Sequence, residues 1–228
     1  MEEIVKEIDE SYNQEILNII RRSPITTDQL TLCFDRSPDF FALPKAGFDH
    51  SKYAGFIIDR KLKGFVGVSY YTAMVNDEAE TIFYYTNLYV LPEARKRGFF
   101  FRSSEVLLKA PYNNARIGVS VVMKGNENAN RLVGRRSEDY PFVFPTKICG
   151  SLSVKNIVIT LKKREGSSYS IRRATKDDVE GIVFLLKQQY ADRTFAPLVT
   201  KEEFLKNIER RPNFELNDYF VAVQNGSI

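Results

Sequence analysis

The chain has 228 residues, 43% of them hydrophobic and 27% charged, and a formal net charge of +4. This length suits one large domain or one domain with part of another, and this apolar content is enough for a buried core. The sequence has no apolar run of membrane-spanning length and no N-terminal leader pattern, so we expect a cytoplasmic protein without membrane contact.

The chain has only two cysteines and one histidine, which argues against metal binding, redox chemistry and histidine-based catalysis. Cys33 and Cys149 lack any CxxC spacing, which argues against a metal or redox pair and predicts partly buried lone thiols. His50 is the only histidine and falls in a predicted loop, so a histidine-based triad is not expected. We therefore predict no metal site.

The N-terminal stretch predicts a strand, two helices and a loop. Ile4 to Ile8 alternates as a short strand, and the helix that follows ends before Pro24. A cap-like start at Thr26 predicts a second helix reaching Phe34. Residues 42–52 are predicted to be a loop.

Three long strands are predicted next. Tyr53 to Asp59 and Phe65 to Met74 read as strands joined by a turn at Lys61 to Gly64. A second turn at 76–78 leads into an aromatic, alternating strand that ends at Val90.

A basic turn follows this strand and precedes a helix. Pro92 ends the strand because it has no amide proton, and Phe99 to Lys109 reads as an amphipathic helix. The first amides of such a helix lack partners and carry the positive end of its dipole. Residues 91–136 have a net charge of +7, although the whole chain has only +4. The turn therefore predicts a receptor for phosphate or diphosphate.

The turn sequence resembles a known family. Arg95-Lys96-Arg97-Gly98-Phe99-Phe100 is similar to the Arg/Gln-x-x-Gly-x-Gly/Ala loop that binds acetyl-coenzyme A in the GNAT N-acetyltransferases. Phe100 departs from the pattern, because it places bulk where the backbone approaches the diphosphate closely. Binding requires its ring to turn away from the loop.

The predicted element order also resembles this family over residues 1–165. Ala115 to Met123 reads as a fifth strand, 126–136 as a helix, and 143–148 with 154–161 as a final antiparallel pair. The resemblance implies an α+β (α/β three-layer) fold with a mixed, mostly antiparallel central sheet flanked by helices. In it, strand four, ending at Val90, and strand five splay apart.

The resemblance further implies where the cofactor lies. The strand-four backbone at Leu88, Tyr89 and Val90 would pair with the pantetheine arm, with the Val90 N–H as a candidate oxyanion donor. The other residues implied as cofactor contacts are Arg95, Lys96, Arg97, Gly98, Phe99, Phe100, Phe101, Arg102, Gly118, Asn126 and Asn130. The two asparagines suit helix caps and turns equally well.

Proton-transfer groups match the family less well. Its usual strand-four carboxylate is replaced by Tyr84, and Val133 stands where many members have a tyrosine. Tyr84 or Glu80 acting through water are our candidates for catalysis. Tyr85, Tyr89 and Tyr140 are other phenols that fit the role. A packing role for Tyr84 and Tyr85 remains the alternative.

The C-terminal part resembles the beginning of the chain. After a predicted linker at 166–169, residues 170–228 repeat a strand, two helices and an Arg-x-Pro-Asp/Asn-Phe sequence, seen at Arg36 to Phe40 and again at Arg210 to Phe214. We predict a tandem protein whose second GNAT-like domain is incomplete. Its open sheet edge predicts that it docks on the first domain, pairs with another chain in a homo-oligomer, or is partly mobile.

Three functions are compatible with these patterns. The first is an acetyl-CoA-dependent N-acyltransferase that acts by direct attack of a primary amine, in a small molecule or a peptide, without a covalent intermediate. The alternative is a catalytically inactive module that binds coenzyme A or acyl-CoA and serves regulation. Nucleic-acid binding is the third, and the lack of aromatics between the cations argues against it.

Overall fold

The computed structural model describes residues 2–26, 31–133, 146–151 and 169–224. The chain divides into two compact units, the first comprising Met1–Thr146 with Thr194–Leu198, and the second comprising Lys147–Arg193 with Val199–Ile228. Within the described ranges, each helix is too short or too polar to cross a bilayer.

The first unit is built on one five-stranded sheet. Its elements are β1 (Glu3–Ile8), α1 (Asn13–Arg21), β2 (Ile25–Thr26), β3 (Thr31–Leu32), α2 (Ala42–Gly47), β4 (His50–Ile58), β5 (Lys61–Val75), β6 (Glu78–Val90), α3 (Phe99–Leu108), β7 (Ile117–Val119) and α4 (Glu127–Val133). The sheet order is β1-β4-β5-β6-β7. All neighbours are antiparallel except β6 and β7, which run parallel. The predicted α+β class with a mixed, mostly antiparallel sheet flanked by helices is confirmed.

Each sheet face packs against its own apolar layer. On one face, α1 and the Phe40–Phe41 pair cover Tyr53 and Phe65. On the other face, α3 covers the centre of β4 and β5, where the rings of Phe56 and Phe99 stack with centroids 5.2 Å apart. Residues on α1 and α3 therefore pack against β6 from opposite faces of the sheet.

Several local predictions were wrong. The helix predicted from Thr26 to Phe34 is replaced by the β2–β3 pair, in which the hydroxyls of Thr26 and Thr31 lie 3.2 Å apart, and α2 lies in the predicted loop. The turn between β4 and β5 is at Asp59–Arg60, both with positive φ, and not at 61–64. Gly64 is required inside β5, since a Cβ there would lie 2.8 Å from the Tyr89 carbonyl oxygen.

The fifth strand is shorter than predicted. The sequence suggests Ala115 to Met123, whereas β7 spans only Ile117–Val119. Its pairing with β6 ends at the pair Tyr84↔Val119. Most of the predicted final pair, 143–148 and 154–161, lies outside the described residues.

A β-bulge changes the phase of β6. The register passes from Gly67↔Thr86 to Phe65↔Tyr89, so Asn87 and Leu88 together face one residue of β5. Asn87 has φ 57°, a left-handed conformation that asparagine tolerates better than most residues. Before the bulge Phe83 and Tyr85 face α3, and after it Leu88 and Val90 do. One extra residue thus reverses the alternation.

A short segment from later in the chain extends the first unit's sheet. Ala73 of β5 and Pro197 form an antiparallel bridge. The Met74 N–H donates to the Ala196 carbonyl, and the Phe195 N–H to the Met74 carbonyl, both at 2.9 Å. This segment continues the β5 edge beyond the end of β4.

The second unit has its own small core. It contains β8 (Ser170–Arg173), α5 (Val179–Tyr190), α6 (Lys201–Glu209) and β9 (Phe220–Val223). The strands pair antiparallel, as β1 and β4 do. Asp178 begins α5, accepts two hydrogen bonds from Arg172 and receives the N–H of Thr175, which fixes the strand-to-helix connection.

The two copies of the repeated sequence make similar contacts. Phe40 packs against Tyr53 with ring centroids 5.3 Å apart, and Phe214 packs against Tyr219 at the same distance. The predicted domains, 1–165 and 170–228 with a linker at 166–169, stay a prediction because most of the predicted boundary lies outside the described residues. The tandem and homo-oligomer hypotheses also stay predictions.

Candidate functional site

β6 extends beyond its parallel neighbour. The β6–β7 register ends at Tyr84↔Val119, where β7 stops, whereas β6 continues to Val90. The segment from Tyr85 to Val90 contains the bulge at Asn87. The pairing therefore ends at Tyr84, and within the described residues the last six residues of β6 have no partner strand on this side. We call this unpaired stretch of the β6 edge the opening.

The backbone of Val90 faces this opening. The Leu91 N–H donates to the Lys63 carbonyl at 2.9 Å, toward β5. Because the polar groups of successive residues in an antiparallel pair point to alternate sides, those of Val90 point away from β5. The Val90 carbonyl accepts a hydrogen bond from Arg95 Nε at 3.1 Å. The N–H of Val90 therefore points to the side of β6 that faces away from β5.

The turn after β6 leads into the N-terminus of α3. Gly98 has φ 69° and ψ 16°, so it occupies the left-handed region, and Lys96 also has a positive φ. The Arg102 N–H donates to the Gly98 carbonyl at 3.2 Å, which starts the helical bonding. The first-turn amides of α3 precede that bond, and Gly98 has no side chain with which to cap them.

The structure divides the predicted cations between two places. Arg95 and Lys96 are exposed in the turn, with Arg95 reaching the end of β6. Arg97 forms an ion pair with Glu3 on β1. Arg102 lies 3.6 Å from the same carboxylate and over the ring of Phe56. Arg97 and Arg102 therefore face the β1 edge, whereas Arg95 faces the opening.

The three consecutive phenylalanines have different environments. Phe99 is buried on Phe56 and anchors α3 to the sheet, so only its backbone is available to a ligand. The Phe100 ring packs against Tyr85 of β6, with centroids 5.4 Å apart, and against Phe101 at 5.5 Å. The ring of Phe100, which stands at the Gly/Ala position of the loop motif, therefore packs against β6.

Tyr85 is a hydrogen-bond donor in a buried cluster. Its hydroxyl lies 3.3 Å from Ser103 Oγ and 3.2 Å from Ser104 Oγ. Both serines donate to the Phe100 carbonyl, at 2.8 and 2.9 Å. Each serine has only one proton, so the Tyr85 hydroxyl must supply its own. Burial raises the pKa of Tyr85, so its hydroxyl is protonated near pH 7 and can donate within this cluster.

Tyr84 lies at the point where the β6–β7 pairing ends. Its ring stacks on Phe48 at 6.1 Å, and Phe48 also contacts Tyr71 at 5.9 Å. Burial, with a smaller contribution from Tyr84, raises the pKa of Tyr71. Glu80 is exposed and lies four residues earlier on β6, roughly 13 Å away in an extended strand. The structure therefore brings Tyr84, but not Glu80, to the opening.

The remaining predicted residues lie around these strands. Leu88 packs toward α3 beside Val90, whereas Tyr89 stacks on Phe65 at 5.4 Å on the α1 face. Gly118 pairs with Phe83, below the opening, and a Cβ there would lie 2.2 Å from Phe83 Cε2. Asn126 caps α4 by accepting the Ala129 N–H at 3.2 Å, and Asn130 lies within α4. Tyr140 lies outside the described residues.

Sequence reasoning missed two features of this region, and two of its expectations were wrong. Asn87 forms the bulge, which the change in apolar phase between Phe83–Tyr85 and Leu88–Val90 indicates in retrospect. Glu3 pairs with Arg97 and Arg102, two of the cations predicted to contact phosphate, and no local sequence pattern indicates this pairing. Both cysteines are exposed, so the expected partial burial was wrong, and His50 begins β4 and stacks on Tyr112 at 4.9 Å.

Comparison with known proteins gives structural similarity only. No family model matches the sequence, and no curated protein matches it significantly. A transcriptional regulator from Bacillus halodurans C-125 has a TM-score of 0.51 at 9% identity, covering 68% of this chain and 100% of its own. An aminoglycoside 6'-N-acetyltransferase from Acinetobacter baumannii has a TM-score of 0.47 at 16% identity, with coverages of 69% and 100%.

A third similar structure extends further along the chain. It is a protein from Enterococcus faecalis V583 described as a probable N-acyltransferase, with a TM-score of 0.48 at 15% identity. The match covers 85% of this chain and 45% of that one. At these identities a likeness concerns the fold alone.

The first unit has the mixed α+β architecture that the resemblance of the Gly98 turn to the GNAT loop implies. The sheet order, the single parallel pair, the bulge in the strand before the basic turn and the helix that starts at Gly98 all agree with that architecture. The function is a separate question, which depends on the opening and the residues around it.

Proposed function

We propose that the first unit binds acetyl-coenzyme A and transfers its acetyl group to a primary amine. The observation that carries the proposal is the β6 edge, which continues past β7 and ends beside the glycine-capped start of α3. The amides of residues 99–101 suit a diphosphate. Arg95 and Lys96 supply positive charge at the same turn. The β6 edge suits pairing with the amides of a pantetheine arm.

The length of β6 assigns different roles to its two ends. Tyr84 and Val90 are six residues apart, which corresponds to roughly 20 Å in an extended strand. They therefore do not contact one thioester carbonyl together. With the diphosphate at the Gly98 end, the far end of an extended arm lies toward Tyr84. We accordingly assign the Val90 N–H to the arm and the Tyr84 hydroxyl to the reacting end.

This arrangement supports direct transfer without a covalent enzyme intermediate. Bound acetyl-coenzyme A supplies an activated acyl group. The β6 edge holds it beside an incoming amine, and this proximity supplies much of the barrier reduction. The Tyr84 hydroxyl can donate a proton to the departing thiolate, and the resulting phenolate can take up the proton that the attacking nitrogen loses, directly or through water. The amine, whether in a small molecule or a peptide, reaches the opening from the face that carries Phe48 and Tyr71.

Two observations favour a second candidate, a module that binds acyl-CoA without turnover. Tyr84 occupies the position of the family's usual carboxylate, so the amine lacks an evident base among the residues at the opening. The Phe100 ring packs at the start of the opening, against Tyr85. Both features are compatible with cofactor binding, but neither favours rapid chemistry.

Calorimetry and a turnover assay separate these functions. We expect the full chain to bind coenzyme A and to release thiol from acetyl-coenzyme A with at least one member of a panel of small amines and peptides. Binding without turnover on every amine supports the module. The absence of binding, together with salt-sensitive binding of an oligonucleotide, refutes both.

Tyr84→Phe tests the proposed acid, with Tyr71→Phe as its matched control. Both substitutions remove one phenol from the cluster around Phe48. We expect Tyr84→Phe to lower kcat by about 100-fold or more with little change in coenzyme A affinity, and Tyr71→Phe to change kcat far less. Equal losses in the two variants would show that the phenol at position 84 only packs.

A further inference from the structure

Phe100 occupies a position at which a large ring is expected to cover the helix amides. It is the second residue of α3. Helical Cα–Cβ bonds tilt toward the N-terminus, and long side chains lie over the preceding turn. A free phenylalanine here would thus lie over the amides that the diphosphate needs. In the structure its ring instead packs against Tyr85.

The backbone of Phe100 is held as firmly as its ring. Its carbonyl accepts hydrogen bonds from both Ser103 and Ser104. The Tyr85 hydroxyl lies within 3.3 Å of both serine oxygens and can donate its single proton to either one. Ser103 is fully buried and Ser104 nearly so. The cluster therefore joins the first turn of α3 to β6 through both polar and aromatic contacts.

Tyr85 is the one member of this cluster that belongs to β6. It is the first residue after the last β6–β7 pair, Tyr84↔Val119. Its side chain faces α3 because it precedes the bulge at Asn87. Its place in the strand thus sets the position of the Phe100 ring relative to the opening.

We propose that Tyr85 is a positioning residue, which holds the Phe100 ring against β6 and so keeps the first-turn amides of α3 accessible to the diphosphate. This inference rests on the proposed function. It explains how phenylalanine at a position that otherwise requires a small residue is compatible with coenzyme A. It also explains why the buried Tyr85 hydroxyl lies beside two buried serines that both donate to the Phe100 carbonyl.

A double-mutant cycle tests the proposal by calorimetry with coenzyme A. We expect Tyr85→Ala to raise Kd about tenfold, because the released ring covers the amides. Adding Phe100→Ala to that variant should return Kd to about the value of Phe100→Ala alone. A double variant as weak as Tyr85→Ala would overturn the proposal, since the ring would then not be the obstacle. Tyr85→Phe keeps the ring contact, so it should lose much less affinity than Tyr85→Ala.

A fluorescent reporter tests the restraint without the cofactor. The chain has no tryptophan, so Phe100→Trp introduces a single probe. Its emission should be protected from iodide in the parent protein and several-fold more readily quenched after Tyr85→Ala. Equal quenching would overturn the proposal even if coenzyme A binds.

The two experiments also separate this proposal from the proposed function. If the parent protein and every Phe100 variant fail to bind coenzyme A, the proposed function fails, and the role of Tyr85 in keeping the amides accessible fails with it. If the parent does not bind but Phe100→Ala does, the ring blocks the site despite Tyr85. That result would overturn the positioning role while supporting the coenzyme A site.

Discussion

Replacing Gly98 with alanine tests the proposed diphosphate site most directly. Gly98 has φ 69° and ψ 16°, and a Cβ in this region costs roughly 1–2 kcal/mol. If the backbone keeps its conformation, the free energy of unfolding falls by that amount. If it relaxes, the amides of α3 move, and the same energy corresponds to about a 5- to 30-fold loss of coenzyme A affinity.

We expect most of this cost to appear in affinity. Gly98 makes no side-chain cap bond, and the turn is attached through the long side chains of Arg95, on the Val90 carbonyl, and Arg97, on Glu3, which can adjust when the backbone moves. Chemical denaturation and calorimetry on one preparation measure both parts. Asn76→Ala is the matched control, because Asn76 has φ 51° in the β5–β6 turn at the opposite end of β6.

The control should lose stability and keep its affinity. An unchanged affinity in Gly98→Ala, or an equal loss in both variants, would refute the assignment of the diphosphate to the start of α3.

Three further variants test packing and charge. Gly118→Ala should lower the free energy of unfolding by about 1–3 kcal/mol, because its Cβ would collide with the Phe83 ring. Gly47→Ala, which has nothing within 4 Å of its Cβ, should show no such loss, and equal losses in the two variants would contradict this packing. Glu3→Gln should strengthen coenzyme A binding by up to about fivefold in low salt, since it releases two arginines, and weaker binding in calorimetry would contradict this. Hydrogen bonding by Arg172 lowers the pKa of Asp178, so the resulting stability of the second unit is complete above the ordinary pKa of ~3.9 and is lost as the pH falls below it. Asp178→Asn should flatten that acid dependence in thermal melts, and an unchanged dependence would contradict the assignment.

Local pattern predicted the parts of the fold in which one face is buried. β1, α1, β6 and α3 were predicted because their apolar residues recur with the period of the element they form. The Gly98 turn was predicted from a proline, a glycine and three cations in sequence. In each case the information lies within about a dozen consecutive residues.

The predictions failed where distant residues decide. The segment from Thr26 to Phe34 has a helix-like cap, but β2 and β3 pair with each other instead. The sequence predicts a turn at Gly64, whereas a glycine is needed there because the Tyr89 carbonyl oxygen of β6 leaves no room for a Cβ. The capture of Arg97 by Glu3 joins residues 94 positions apart, which no local pattern in a single sequence reveals.

The bulge at Asn87 links the two sides of the proposed site. If β6 were regular, one alternation would continue along it, and Tyr85 and Val90, which are five positions apart, would face opposite sides of the sheet. With it, both side chains pack toward α3. Tyr85 can then hold the start of α3, and Val90 can direct its backbone into the opening beside that same helix end. The placement of Tyr85 and Val90 on the same side of β6 therefore depends on the bulge at Asn87.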